Sequence, residues 1–331
     1  MKIILIKQSG QYDISGAVTK VEWSGSASSA ARQLSFDYVN APFDSFNLPP
    51  VSTGDYVSFA DGTEELFYGQ IFGTEKSTAV GVITYTAYDM MKNLLESTGQ
   101  YNFKNVTAEA VAQMVCDDVQ MPVRFLYPTG VNIASMLCDG MTLYDVIMAA
   151  YTKAHLVDGK KYFPMIYKRA FSVYSMEWHV TNFTLSDMDN MTDASITESL
   201  DGIVNRVKVY GKDGQQIGEV EDASSRGRFG TYQTIYKQED SIDPTTAATN
   251  LLKTTPVQSI KISAIGDSKC MSCYFVAVND TATGLWGRYW IASDSHTWEN
   301  ETHTMELELR YDSVMEEKES TKEEEKKEAT A

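Results

Sequence analysis

Positive charge is scarce in this sequence. Lys and Arg number 28 against 45 Asp and Glu in 331 residues, a formal net charge of −17. That imbalance disfavours indiscriminate binding to nucleic acid or to an anionic membrane, although a conduit for DNA tolerates it, because repulsion keeps a polyanion from sticking. Long apolar runs are missing as well. No stretch approaches the ~18 residues of a membrane span. The apolar run at residues 3–6, between Lys2 and Lys7, falls far short of a secretory h-region. The expectation is a protein that binds no membrane by itself, binds no specific nucleic acid, and folds in a reducing cytoplasm. Cysteine is sparse too: Cys116, Cys138, Cys270 and Cys273 are too few to staple a chain of this size.

Motifs that carry chemistry are equally thin. Cys270-Met271-Ser272-Cys273 is a lone CxxC. With His296 and His303 it misses the histidine spacing of a zinc site, and it leads into a strand where a redox motif wants a helix, so two buried thiols are expected. Ser293-Asp294-Ser295-His296 holds triad residue types, but neighbours on an extended chain point to opposite sides. The carboxylate pairs Glu64-Glu65, Asp117-Asp118 and Asp187/Asp189 come without an Asp-x-Asp-x-Asp-Gly loop and read as solvated charge. Arg226-Gly227-Arg228, in a polar loop at 223–230, reads as a contact to a phosphate or acidic partner, or as a flexible loop that orders on assembly. No catalytic, cofactor-binding or metal-ligating residue is expected.

What the chain does have is strands. Hydrophobic residues make up 43%, with 19 Tyr and 13 Phe, a composition suited to sheets and interfaces. The pattern divides into a strand-rich block at 1–95, a mixed α+β block at 96–190, a second strand-rich block at 191–312 and an acidic tail at 313–331. In the first block Leu34, Phe36 and Tyr38 alternate with Ser35 and Asp37, and Asp61-Gly62 marks a hairpin. In the second, Thr107 and the box Thr142-Leu143-Tyr144-Asp145 cap two helices, the latter presenting Leu143, Val146, Ile147 and Ala150. Strands then flank a basic turn at Lys168-Arg169. In the third, residues 203–210 alternate, and Asp243-Pro244 opens a helix. Residues 316–331 hold seven Glu and four Lys and read as disordered. The fold class is mainly β with an α+β insert.

The last ordered segment reads as a β-hairpin. One arm runs over 284–292, residues 293–298 connect, and the returning arm places Met305, Leu307, Leu309 and Tyr311 on one face and Thr304, Glu306, Glu308 and Arg310 on the other. His296 and His303 are placed to hydrogen-bond across it, with Trp298 and Met305 packing beneath. The aromatic residues Trp286, Tyr289, Trp290 and Trp298 suit a core or a subunit interface better than a sugar-stacking surface.

A family resemblance rests on four passages. They are Gly54-Asp55-Tyr56-Val57-Ser58-Phe59 leading to Glu65-Leu66-Phe67-Tyr68-Gly69-Gln70-Ile71; Ile83-Thr84-Tyr85-Thr86-Ala87-Tyr88-Asp89-Met90-Met91 with Leu94, then Tyr101-Asn102-Phe103 and Asn105-Val106-Thr107-Ala108; Glu198-Ser199-Leu200-Asp201-Gly202-Ile203-Val204-Asn205-Arg206-Val207; and the closing hairpin. Their succession resembles the baseplate hub proteins of contractile phage tails and phage-tail-like bacteriocins (tailocins). The resemblance implies two tube-like β-barrel domains flanking or enclosing a small α/β domain. It implies a homotrimer whose six tube-like domains form a pseudo-hexameric ring between a sixfold tail tube protein and a threefold spike protein, with baseplate wedge proteins around it. The place implied is the baseplate centre of a phage or tailocin particle assembled in the bacterial host cytoplasm. No lysozyme-like or peptidase domain of the kind some hubs carry is visible. Trp286, Trp290, His296, Trp298, His303 and Met305 are the candidate structural or interface residues. Alternative readings are a tail-tip scaffold of a non-contractile phage and, from another class, a cell-wall hydrolase or carbohydrate-binding module.

Overall fold

A computed structural model describes residues 1–40, 48–76, 81–178, 180–238, 244–311 and 314–321. Asp243, expected as a helix cap, and the tail from 322 onward lie outside the described residues. The chain forms two compact units, one from Met1–Ala194 with Lys261–Ala331 and one from Ser195–Ile260.

Strands open the first unit: β1 (Lys2–Lys7), β2 (Gly10–Asp13), β3 (Val18–Ser26), β4 (Ser29–Val39), β5 (Tyr56–Asp61), β6 (Glu64–Lys76) and β7 (Val82–Asp89). Period-2 alternation sets the inward face. Val21, Trp23, Leu34, Phe36, Val57, Phe59 and Ile71 are buried in one core, while their sequence neighbours face away from it. The expected hairpin at Gly62 forms, with Asp61 paired to Glu64. Close packing is enforced at Gly69. A Cβ there would fall 2.2 Å from the backbone carbonyl oxygen of Tyr88 on β7 and 2.5 Å from the Phe67 ring. Gly69→Ala is therefore expected to destabilise the unit by about 1–3 kcal/mol. In Gly73→Ala the nearest atom would be 3.7 Å away, so this control should change stability little. Thermal unfolding of both variants checks the pair.

The insert follows: α1 (Met91–Glu96), β8 (Thr98–Val106), α2 (Ala108–Asp118), β9 (Val123–Leu126), β10 (Ile133–Thr142), α3 (Leu143–Asp158), β11 (Tyr162–Tyr167), β12 (Ala170–Ser175), then β13 (Val180–Ser186) and β14 (Met191–Ser199). Thr107 and Thr142 cap as expected, accepting from the N–H groups of Ala110 at 3.4 Å and Asp145 at 3.1 Å. Lys168 and Arg169 both take left-handed backbone (φ 49° and 62°), closing β11 and β12 in a two-residue turn. Arg169 reaches back to β6, forking onto the Glu65 carboxylate and lying 4.1 Å from the Tyr68 ring centroid.

Helix α3 departs from the expected one-sided stripe. Tyr144, Met148, Tyr151 and Thr152 are buried along with Leu143, Val146, Ile147 and Ala150. Tyr151 is covered by Tyr162 and Tyr127, whereas Tyr144 and Thr152 are met by the segment at 314–321, read from composition as disordered tail, which instead straps the helix. Val314 is buried, Tyr144 donates its hydroxyl to Glu316 at 2.9 Å, and the Lys318 N–H donates to Thr152 Oγ1 at 3.1 Å. Lys318 also pairs with Asp145 at 3.2 Å, Glu317 with Lys161 at 2.8 Å, and the Asp139 N–H donates to Thr321 at 2.9 Å.

The second unit is a small mixed sheet with β15 (Arg206–Tyr210) between antiparallel β16 (Gln216–Glu221) and parallel β17 (Gln233–Lys237), with helices α4 (Ala223–Phe229) and α5 (Pro244–Asn250). Val207, Val209 and Ala248 form its core. Residues 223–229, expected as a flexible loop, are helical. Asp222 caps them by accepting from the Ser225 N–H at 2.8 Å. Asn205, fully buried, donates to the Gly230 carbonyl at 2.7 Å and accepts from the Tyr232 N–H at 2.8 Å, pinning the far end.

The chain closes with β18 (Val257–Ile265), β19 (Phe275–Asp280), β20 (Leu285–Glu299) and β21 (Thr302–Arg310). Among the described residues the main sheet has thirteen strands, in the order β14-β18-β21-β20-β3-β4-β7-β6-β5-β1-β2, with β19 and β13 branching from β20. Strand β20 is the branch point: residues 285–290 pair with β19, and residues 293–299 pair with β3. Mainly β with an α+β insert is the fold observed.

Candidate assembly site

The closing hairpin is longer than expected. Residues 293–298, read as a connection, continue β20 as strand, and the turn shrinks to Asn300-Glu301, both with positive φ (50° and 62°). Met305, Leu307 and Leu309 point into the core as expected. Tyr311 lies just past the strand end and is 77% exposed. A bulge between Ile291 and Ser293 switches which alternate residues face which way. Trp290 therefore stacks on Phe275 (centroids 3.4 Å apart) in one cluster, while Trp298 meets Phe59 edge-on (4.8 Å) in another.

Of the six candidate residues, Trp290, His296, Trp298 and Met305 are buried and His303 is half-buried. Trp286 alone presents most of its surface to solvent, at 61%. Among the six candidates the hairpin thus separates a buried polar lock from one exposed aromatic.

The lock centres on Asp294, whose side chain is fully buried. Its Oδ1 accepts from Arg32 Nη1 at 3.0 Å and from the Ser272 N–H at 2.6 Å, and its Oδ2 accepts from Arg32 Nη2. Arg32 lies on β4 and Asp294 on β20, with β3 between them. The guanidinium crosses β3 over Gly25, where a Cβ would sit 2.3 Å from Arg32 Nη1, and rests 3.8 Å from the Trp23 ring centroid. Only glycine leaves that passage open. His296, beside Asp294, sends Nε2 to the Cys270 carbonyl at 3.0 Å. A carbonyl only accepts, so Nε2 carries the proton, and Nδ1 accepts from His303 Nε2 at 3.1 Å. His303 stacks on Trp298 at 3.9 Å, and Trp298 Nε1 donates to Asp61 at 3.2 Å.

Burial holds His296 below the ordinary imidazole pKa. Burial, together with His296, takes His303 down to about 4. The unfolded chain takes up these protons near pH 6.5, the folded chain later, so stability is present at neutral pH and falls as pH drops from 6.5 toward 4. His303 is expected to account for about 1 kcal/mol of that loss at pH 5, allowing for its solvent-facing side. Asp89 acts in the opposite direction, because burial raises its carboxyl to about 7. The His303→Gln variant isolates the histidine: its stability difference from the unsubstituted chain should shrink on acidification, in denaturant titrations at pH 7 and pH 5.

None of this is arranged for catalysis. Asp294 and His296 face inward, Ser293 and Ser295 face the other way, and burial pushes the Cys270 and Cys273 thiols up, away from thiolate. Among the described residues no three His, Cys, Asp or Glu side chains converge as metal ligands.

Sequence reasoning did not anticipate Arg32 or Asn205. Arg32 shares its strand parity with Leu34, Phe36 and Tyr38, and a charge on an apolar face signals a buried partner. Asn205 carries no comparable local signal.

Residues 21–310 match the family described as YQBQ-like. The chain belongs to the YqbQ-like family. Relatives include the uncharacterized protein YqbQ of Bacillus subtilis (strain 168), 26% identical over 270 residues, and the phage-like element PBSX protein XkdQ of the same organism, 24% identical over 270 residues. Each alignment covers 78% of this chain and 82% of the relative. The fold is shared with the 43 kDa tail protein of prophage MuSo2 from Shewanella oneidensis (TM-score 0.71, 16% identity, 96% of this chain and 100% of that one). It is shared also with an E. coli component of the type VI secretion system that is structurally similar to the bacteriophage T4 tail proteins gp27 and gp5 (TM-score 0.54, 11% identity, 92% and 76%). The YqbQ-like fold is shared with phage tail proteins, in keeping with the phage-tail family that the sequence resembles.

Proposed function

We propose that this YqbQ-like chain is a baseplate hub subunit that trimerises into a pseudo-hexameric ring between the tail tube and the spike. The observation that carries this reading is the branching of one sheet at β20 into two limbs, one running through β3 to β2 and the other joining β13 and β19 across β20 to β21, β18 and β14. Each limb is the framework of one tube-like domain. Three subunits then supply six such domains, which match a sixfold tube above and a threefold spike below. The relation to a phage-like element protein and the fold shared with phage tail proteins support the same place in a particle. A resemblance of the type VI component to gp27 and gp5 supports a spike as the partner below. The work is mechanical: the subunit anchors wedge proteins and holds the lumen open, without bond chemistry. Exposed Trp286 is the one of the six candidate residues available to anchor a neighbour.

Light scattering of the purified chain, alone and with its cognate spike protein, tests the reading. A trimer, or a complex with three copies of each, is expected. A monomer under both conditions would remove the hub assignment.

A further inference from the structure

The sheet face turned away from the first core has an unusual composition, legible rung by rung from strand register. The central rung across β21, β20, β3, β4 and β7 is Thr304, Thr297, Glu22, Ser35 and Thr86. The rung on one side runs Thr302, Glu299, Lys20, Asp37 and Thr84; the rung on the other runs Glu306, Ser295, Ser24, Gln33 and Tyr88. Across these three rungs Lys20 is the single cation, ion-paired to Glu22 at 2.6 Å, and Tyr88 is the single aromatic. Asp37 accepts the Thr84 hydroxyl at 2.6 Å. Within these three rungs no aliphatic side chain is present; aliphatic residues return one rung further along β4 and β7, at Val39 and Val82.

Such a face is poorly made for holding anything. Protein interfaces are anchored by buried Trp, Tyr, Arg and aliphatic groups. Nucleic-acid grooves need cations and stacking aromatics. Short hydroxyls keep a surface flat and hydrated, and carboxylates with one neutralised lysine repel phosphate. We infer that this five-strand face is the wall of the conduit, built to let duplex nucleic acid pass without being held. The inference rests on the hub reading and assigns the face that reading leaves open.

All four native thiols are buried, so a cysteine introduced by Ser35→Cys is the site a maleimide reads. In the free subunit it should react both with a small maleimide and with one carried on a large dextran. In the assembled particle the small reagent should still react and the dextran reaction should be lost. A second variant, Ser35→Lys with Thr86→Lys, should assemble normally and make the ring retain duplex DNA in a salt-sensitive way, where the unsubstituted ring lets it pass. Dextran labelling in the particle would place the face outside. Loss of both labels, or loss of assembly in the lysine variant, would make it a subunit seam. Lysine variants that assemble yet retain no DNA would also overturn the wall assignment. If the unsubstituted chain fails to enter a particle, the hub reading falls and this inference falls with it; if it enters and Ser35 lies outside, the wall assignment alone falls.

Discussion

Asp294→Ala is expected to lower the unfolding free energy by about 3–5 kcal/mol, because it strands a buried charge. The Arg32 guanidinium would lose both of its carboxylate bonds, and its Nε has no partner among the described residues. The Ser272 N–H would lose its acceptor, freeing the loop that carries Cys270 and with it the Nε2 bond of His296. A double change of Asp294→Ala with Arg32→Met should recover much of the loss, since an apolar pair of similar volume leaves no uncompensated charge. Denaturant titration of the two single variants and the double variant measures the coupling. Loss of less than about 1 kcal/mol in the single variant would contradict a desolvated pair, since that is the range of exposed ones.

Tyr151→Ala should cost the insert about 3–5 kcal/mol, the range for emptying a large aromatic site that cannot collapse. Tyr151 is fully buried in the middle of α3. Its ring lies 5.1 Å from that of Tyr162, and its hydroxyl donates to the Tyr127 carbonyl at 3.4 Å. The helix is enclosed by α1, α2, β10 and the 314–321 strap, so little is free to fill the space. The effect should add to that of Asp294→Ala, because the two sites share no partner. Stability close to that of the unsubstituted chain in Tyr151→Ala would mean that the strap and helix close over the cavity.

Local chemistry was legible in the sequence, and long-range chemistry was not. The caps at Thr107 and Thr142, the Gly62 hairpin and the alternation of Met305, Leu307 and Leu309 each depend on residues a few positions apart. The strand at 293–298 hid behind Asp294 and His296, polar residues in apolar slots whose partner Arg32 is 262 positions away. Trp290 and Trp298 both sit at even-numbered positions of β20, and the bulge that sends them to different clusters has no sequence mark. The 314–321 strap is rich in Glu and Lys, and composition alone reads that as disorder. Three of its charges are instead matched: Lys318 by Asp145, Glu317 by Lys161 and Glu316 by the Tyr144 hydroxyl. The family resemblance carried the fold further than any single motif, because its information lies in the order of passages. Among the candidate residues, most turned inward for the same reason that they caught attention: aromatic and apolar groups on a half-buried strand seek the core.

A hub subunit is defined by its copy number and its place. Electron cryo-microscopy of the particle assembled with this chain measures both directly. Three copies on the axis between tube and spike, each giving the two limbs of its sheet to a six-membered ring, are what the account predicts. Six copies in one ring, or a position at the periphery of the baseplate, would contradict it.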